Sequence, residues 1–380
     1  MTTILHGARL IDGGMVTDDA WVAFTDGVVA QTGVGDTWRE LPAGDVVDAG
    51  GSYLAPGFVD IHGHGAGGAS FDDGPAAIAT ARAVHRAHGT TRAVLSLVTA
   101  SVDDLAARAA MVADLAERDA TILGSHLEGP FLSALHKGAH TADLLRDPDP
   151  ASLDRLVDAG RGTIRQMTLA PELPGGIDAV ARLVAAGVVV AVGHTDATAE
   201  QAAAAFDAGA TLLTHAFNTM RGIHHRAPGP VVAAMRDERV TLELIADGVH
   251  VHPDVVTLAF AGAPGRIALV TDAMAATGSA DGRYELGGLA VTVSGGVARL
   301  DTNGAIAGST LTQDAALRLA VRCGVSLPGA VAAVSAVPAR ALGLGRRFGS
   351  LRVGMEADAV LLDDALSVTG VWVSGARVSA

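Results

Sequence analysis

Residues 177–215 read IDAVARLVAAGVVVAVGHTDATAEQAAAAFDAGATLLTH, and the alternation in this stretch decides the fold. In Ile177–Ala186 the large apolar residues Ile177, Val180, Leu183 and Val184 recur at intervals of three and four. That spacing places them on one face of a helix. Gly187 breaks the pattern, and Val188–Val192 follows as a short apolar run, which suits a strand buried on both faces. Ala197–Ala208 returns to helix and Thr211–Thr214 to strand.

The alternation extends outward in both directions. Upstream, Pro75–His88 reads as helix, Thr91–Val98 as strand, Val102–Arg118 as helix and Thr121–His126 as strand. Downstream, Val231–Arg236, Val240–Ile245, Asp254–Ala261 and Ile267–Val270 repeat helix, strand, helix, strand. Alternating strands and helices imply a parallel α/β sheet. The number of units fits a TIM-like (β/α)8 barrel, which needs about 250 residues. A doubly wound open sheet is the alternative, but no glycine-rich phosphate loop follows the first strand. The chain ends read differently. Thr3–Leu10, Trp21–Thr25 and Val28–Thr32 are strand-like, with a hairpin turn at Asp26-Gly27. Ala359–Leu362 and Gly370–Ser374 are strand-like as well, so the two ends are expected to pair into one small β domain. The expected division is 1–54 with 341–380 for that domain and 55–340 for the barrel. The glycine-rich stretch Gly278–Gly296 reads as a hairpin excursion.

Composition narrows the function classes. Of 380 residues, 49% are hydrophobic, which excludes a disordered chain. Against 41 Asp plus Glu stand 27 Lys plus Arg, a net charge of -14, which argues against nucleic acid or an anionic membrane as partner. The single cysteine, Cys323, cannot form an internal disulfide; it lies in the apolar helical stretch Leu311–Cys323 and reads as core. The start carries Asp12 and no basic, apolar leader, and Leu183–Gly193 is far short of the roughly 18 residues a membrane span requires. A cytoplasmic protein without membrane association is expected.

The chemistry-bearing residues gather just past predicted strands, the barrel face on which active sites are built. His62 and His64 are two apart, so in an extended chain their side chains share a face about 6.5 Å apart. Glu128 follows a strand directly and could ligate or bridge metals. His194 ends the most apolar strand, His215 follows Leu213-Thr214, and Asp272 follows Val270-Thr271. Taken singly, each is as readily a loop or capping residue. Accidents would scatter over both barrel faces, whereas these fall in successive βα units on one face. Imidazole and carboxylate without thiolate suit zinc or another divalent first-row metal.

With these residues in place, the chain resembles the amidohydrolase superfamily and, within it, the N-acetylglucosamine-6-phosphate deacetylases. The matching motifs are His126-Leu127-Glu128-Gly129-Pro130-Phe131, Lys137-Gly138-Ala139-His140, Gly193-His194-Thr195 and His215-Ala216-Phe217-Asn218-Thr219-Met220. Arg226-Ala227-Pro228-Gly229, Asp247-Gly248-Val249-His250, Thr271-Asp272-Ala273 and the closing segment Gly349–Val360 continue the series in family order. The resemblance implies a metal-bearing barrel joined to a small β-sandwich built from both termini. It implies metal ligation by Glu128, His194 and His215, and Asp272 as catalytic base. His140, or the metal itself, would stabilise the oxyanion. Substrate contacts would come from Ala139, His140, Asn218, Thr219, Arg226, Asp247, His250 and the segment Ile306, Ala307, Gly308. Arg226 would reach the phosphate from the neighbouring subunit, which implies a homodimer acting on a small sugar phosphate. Some members lack the first histidine pair and hold one metal. Here His62 and His64 are both present, so two metals per subunit are expected, with Glu128 bridging. Thr219 stands where many members have alanine; a backbone contact there would survive the change.

The implied reaction is hydrolysis of an acetamide, releasing acetate and an amine. A divalent metal lowers the pKa of bound water from 15.7 to about 7 and so supplies hydroxide near neutral pH. Asp272 would take up a proton and return it to the departing nitrogen. The competing readings are another amidohydrolase, acting on cyclic amides, amino groups or N-acyl amino acids, and a catalytically dead scaffold. The Arg226 and His140 motifs disfavour the first, and the complete set of ligands disfavours the second. His224 and His225 receive no role, and His6, His85, His88 and His136 read as structural or solvent-exposed.

Overall fold

The computed structural model describes residues 2–42 and 44–378. At its centre eight parallel strands run in sequence order around a barrel: β1 (Phe58–Asp60), β2 (Thr90–Val98), β3 (Ile122–Glu128), β4 (Ile164–Leu169), β5 (Val189–Val192), β6 (Leu212–Leu213), β7 (Thr241–Leu244) and β8 (Ile267–Leu269). Strand order that follows chain order excludes the doubly wound sheet, whose order reverses at its centre. A helix follows each strand: α1 (Pro75–Ala87), α2 (Val102–Ala116), α3 (Pro150–Gly160), α4 (Gly176–Ala185), α5 (Ala199–Asp207), α6 (Gly229–Arg236), α7 (Pro253–Gly262) and α8 (Gln313–Arg322). Local chemistry starts these helices. Ser101 and Asp149 cap α2 and α3 through their side-chain oxygens, and Thr198 with Gln201 forms a reciprocal capping box on α5. His252 caps α7 ahead of Pro253, which gives that histidine a structural role.

The α3–β4 unit was not expected from the pattern, and the reason is physical. β4 reads Ile-Arg-Gln-Met-Thr-Leu, and its polar Gln166 and Thr168 are fully buried inside the barrel. An interior that is polar beneath a site erases the apolar run by which a buried strand is read. The β8–β1 seam carries no strand ladder. Instead Asp60 accepts the Thr271 hydroxyl at 2.6 Å, and the Asp272 N–H donates to the His62 carbonyl at 2.8 Å. These two bonds, one between side chains and one between backbones, fix the first and last metal-type residues against each other.

Both chain ends contribute to a separate sheet. Its order runs from Ala376–Val378 through Val368–Val373, Ala359–Leu362, Tyr53–Pro56, Thr2–Asp12 and Met15–Thr25 to Val28–Val34, with Asp45–Asp48 beside Thr2–Asp12. Asp26 and Gly27 both adopt positive φ in the tight turn between two of these strands. Trp372, Phe24, Leu54 and Leu5 form the sheet's own core. Gly278–Gly296 was expected as a hairpin; the chain there makes three antiparallel strands, Gly282–Leu286, Leu289–Ser294 and Val297–Leu300. Their apolar face packs on Val98, Met274 and Ala276 at the barrel mouth. Among the described residues no helix is long and apolar enough to cross a membrane. Cys323, expected in the core, lies half-buried against the barrel core, just past the end of α8.

Arg92 of β2 ties the terminal sheet to the barrel. Its guanidinium is buried, forks onto both oxygens of Asp358 at 2.5 and 3.0 Å, and donates to the Ala120 carbonyl at 2.7 Å. Removing one partner of such a pair leaves a buried charge uncompensated, at a cost of about 3–5 kcal/mol. Asp358→Ala should therefore lower the denaturant midpoint substantially. Asp154→Ala, which breaks a solvent-exposed pair with Arg182, should leave it nearly unchanged. Chemical denaturation followed by circular dichroism separates the two outcomes.

Candidate metal centre and active site

Six buried side chains converge at the C-terminal ends of β1, β3, β5, β6 and β8. Three of them, His62, His64 and Asp272, place one ligand atom each within 4.8 Å of one another, as do Glu128, His194 and His215. The ligand positions are thus on alternate and adjacent strands rather than in successive units throughout. β1 ends at Asp60, so His62 and His64 lie just beyond it. Their rings nonetheless meet edge-on with centroids 5.3 Å apart. His194, His215 and Asp272 have φ of 47°, 23° and 47°. A non-glycine residue in that region is uncommon and stores strain of order 1–3 kcal/mol. Each of these strands ends by turning its backbone at the ligand itself.

Glu128 joins the two groups. Its Oε1 lies 3.3 Å from His62 Nε2, 3.2 Å from His194 Nε2 and 3.3 Å from His215 Nε2. Its Oε2 lies 3.1 Å from His64 Nε2 and 3.6 Å from His140 Nε2. Asp272 Oδ1 is 3.3 Å from His64 Nε2 and 3.6 Å from His62 Nε2. The tautomers are set from behind. His194 Nδ1–H donates to the His136 carbonyl at 2.8 Å, and His62 Nδ1–H donates to Glu243 at 2.9 Å. As neutral imidazoles, both rings therefore aim a bare Nε2 lone pair at Glu128. The Nε2 atoms of His194 and His215 are themselves only 3.0 Å apart. Acceptors facing acceptors in a buried space repel unless a cation lies among them, so the donor set fits a divalent metal.

Without metal, protons take that place. Burial pulls the His62 and His64 imidazoles down, but the Glu128 and Asp272 carboxylates outweigh it, with Glu243 adding to the effect on His62. His62 is raised well above the usual imidazole range and His64 to about 9. Burial would raise Glu128 and Asp272, yet the charges of His62 and, for Asp272, His64 hold both well below the usual carboxylate range. His140 behaves oppositely: burial and the neighbouring His194 push it down to about 3, leaving it neutral.

The site opens into a cavity of about 260 Å³. His64, Glu128, His194, His215 and Asp272 form its floor, while Ala139, His140, Asn218, Thr219, His250, Ile306 and Gly308 line its walls. Gly138 lies so close to His194 that a Cβ there would stand 3.1 Å from the ring, so the Lys137–His140 loop can rest on the ligand. His62 is sealed below the floor. Ala307 is buried outside the lining, in the cluster under the three-stranded sheet. Asp247 stands behind His250, accepting from its Nδ1 at 2.6 Å. Burial opposes that ring's ionisation, but the Asp247 bond prevails and its pKa is raised. Arg226 is not brought to the cavity within one chain; it lies on the exposed loop Arg221–Ala227 and bonds His225 at 2.6 Å.

Residues 53–378 match the amidohydrolase family. The chain belongs to the amidohydrolase family. It is 40% identical to the N-acetylgalactosamine-6-phosphate deacetylase of Escherichia coli O157:H7 over the whole of both chains. It is 35% identical to the N-acetylglucosamine-6-phosphate deacetylase of Vibrio furnissii, over 99% of this chain and 93% of the other. Among solved structures it is similar to the N-acetyl-D-glucosamine-6-phosphate deacetylase of Mycobacterium smegmatis, an aspartate-to-alanine mutant in complex with N-acetyl-D-glucosamine-6-phosphate. That likeness has a TM-score of 0.95 and 44% identity over the whole of both chains.

Sequence reading of this amidohydrolase missed a second layer beneath the ligands. Glu243 and Gln166 bond at 2.6 Å under His62. His126 is fully buried between Ser96 and Thr168, 2.8 Å from each hydroxyl, with its ring edge-on to His62. The available signal was a charged residue, Glu243, set between two leucines in strand β7. Protons on His62 and His64 must leave for a cation to bind, so affinity should rise with pH. Adding a divalent cation to chelator-treated protein should raise its melting temperature, and by more at pH 8 than at pH 6, as differential scanning calorimetry would show.

Proposed function

We propose that this amidohydrolase removes the acetyl group of N-acetyl-D-glucosamine 6-phosphate, giving D-glucosamine 6-phosphate and acetate. One observation carries the reading: His64, His194, His215, Glu128 and Asp272, with His62 sealed beneath them, converge at the floor of a cavity walled by His140, Asn218 and His250. The full-length relatives are named for deacetylation of 6-phosphorylated N-acetyl hexosamines. Imidazole and carboxylate donors without thiolate suit zinc, with one ion held by Glu128, His194 and His215 and a second by His62, His64 and Asp272. Glu128 can serve both, because its two oxygens face different histidines.

A bound divalent cation supplies Lewis-acid polarisation of the acetyl carbonyl and lowers the pKa of water towards 7. The chain's own residues do the rest. Asp272, buried at the floor beside His64, takes a proton from the attacking water on a carboxylate oxygen. It then returns that proton to the nitrogen, which leaves as an amine. His140, neutral at the cavity wall, has an N–H to donate to the oxygen on which charge develops. His250 is oriented by Asp247 through Nδ1, which leaves its Nε2–H for the sugar phosphate. Arg226 offers a planar fork suited to phosphate oxygens. Its place on an exposed loop fits a homodimer in which the partner's cavity receives it. The distant acidic surface does not prevent this, because charges beyond about 8 Å are largely screened in physiological salt.

A second reading differs in one hydroxyl. The Escherichia coli relative, matched over its full length, is named for the galacto epimer. Acetate release from N-acetylglucosamine 6-phosphate, N-acetylgalactosamine 6-phosphate and unphosphorylated N-acetylglucosamine should rank the gluco phosphate first. A faster galacto phosphate would give the substrate to the epimer, and equal rates with and without phosphate would remove the phosphate site. Asp272→Asn should lower kcat by roughly 10²–10⁴-fold, while near-normal turnover would remove Asp272 as the base. Arg226→Ala should raise KM for the phosphorylated sugar and leave the unphosphorylated one unaffected. Sedimentation of the intact protein should give a dimer.

A further inference from the structure

Glu243 sits in the middle of β7 with no exposure to solvent, between the buried Leu242 and Leu244. Its side chain points into the barrel, under the metal-type residues. Oε2 accepts from His62 Nδ1 at 2.9 Å and lies 3.4 Å from the His215 backbone N–H. Oε1 accepts from Gln166 Nε2 at 2.6 Å. Among the described residues no lysine or arginine pairs with it; His62 is its one ionisable partner. The remaining nitrogen of His62, Nε2, is buried without a hydrogen-bond partner and faces Glu128 and Asp272.

A carboxylate buried without a cationic side chain is expensive to keep, and packing alone does not account for it. What it does here is chemical. By accepting from Nδ1 it fixes the proton on that nitrogen, so the lone pair lies on Nε2. It also pins the ring plane, and its negative charge makes the imidazole a stronger donor to a cation. Gln166 in turn fixes the carboxylate. None of these side-chain bonds reaches Glu128, His194 or the ring of His215, where Glu243 touches only the backbone. The effect therefore falls on one of the two triads.

We propose that Glu243 is a positioning residue that sets the occupancy of the His62–His64–Asp272 site, and so decides whether this chain carries one metal or two. The proposal rests on the metal-dependent reading above and deepens it.

Glu243→Gln keeps the size and can still offer an oxygen to His62, but it removes the charge. Glu243→Leu removes both. Zinc uptake by each chelator-treated full-length protein would be followed by titration calorimetry and by metal analysis after gel filtration. The wild type should take up two zinc ions. In Glu243→Gln the weaker-bound zinc should lose roughly 10–100-fold in affinity, with the other unchanged within about threefold. Glu243→Leu should retain one zinc. Two zinc ions bound with wild-type affinity in both variants would overturn the proposal, and so would equal weakening of both sites, which marks a merely structural prop. A wild type that takes up one zinc at every concentration overturns it too, and if that protein still releases acetate, the functional reading stands. Should the variants fail to fold, ¹⁵N NMR of the zinc-loaded wild type decides. His62 protonated on Nδ1 supports the assignment, and a proton on Nε2 ends it.

Discussion

The Glu128 carboxylate, buried among His62, His64, His140, His194 and His215, is the constraint on which the rest of the structure depends. An anion in a protein interior must be balanced locally, and no lysine or arginine reaches this one among the described residues. Four of the five rings instead come from the ends of strands on different sides of the barrel. Two of these rings, His194 and His62, have their tautomers chosen by partners further out, the His136 carbonyl and Glu243. The arrangement is self-consistent only with positive charge at its centre, supplied by protons or by a metal. Charge balance and chemistry are one problem here.

Meeting that constraint shapes the fold around it. The barrel interior below the site is polar where a barrel core is ordinarily filled with branched aliphatic side chains. Ser96, His126, Thr168 and Thr214 form one chain of hydrogen bonds there, and Gln166 with Glu243 forms a second set. The first set holds the His126 ring from both nitrogens, and the second holds the His62 ring through Glu243. The strained backbones of His194, His215 and Asp272 fit the same picture, since a left-handed turn at a strand end aims the side chain back over the barrel axis. The seam between β8 and β1, closed by Asp60 and Thr271, brings His62 to Asp272 without a ladder.

The mouth is built by other parts of the chain. The three-stranded excursion and the Ala305–Gly308 segment roof the cavity with Leu286 and Ile306, while the Lys137–His140 and Asn218–Thr219 loops wall it. The charged groups of the floor and the apolar roof give the cavity two unlike ends, which suits a ligand with a reacting amide at one end and a sugar face at the other. The terminal sheet takes no part in the lining. It is held to the barrel by Arg92 and Asp358 and caps the far side of β1 and β2.

The sequence by itself determined the alternation of strands and helices, the strand-end positions of His62, His64, Glu128, His194, His215 and Asp272, and the family those motifs resemble. Those features are local, carried by periodicity of three and four, by short apolar runs and by motif order. It did not reveal β4, whose interior face is polar, or Glu243, whose neighbours in sequence are leucines. Nor could it show that Asp247 acts behind His250. These were decided by tertiary structure, because each depends on which side chain from a distant strand shares the barrel interior. A residue's hydrogen-bond partner 181 positions away, as with His62 and Glu243, leaves no trace in local pattern. Closing the barrel brings separate polar residues into contact, and the charges beside each buried group then outweigh burial in setting the protonation of His62, His64, Glu128 and Asp272.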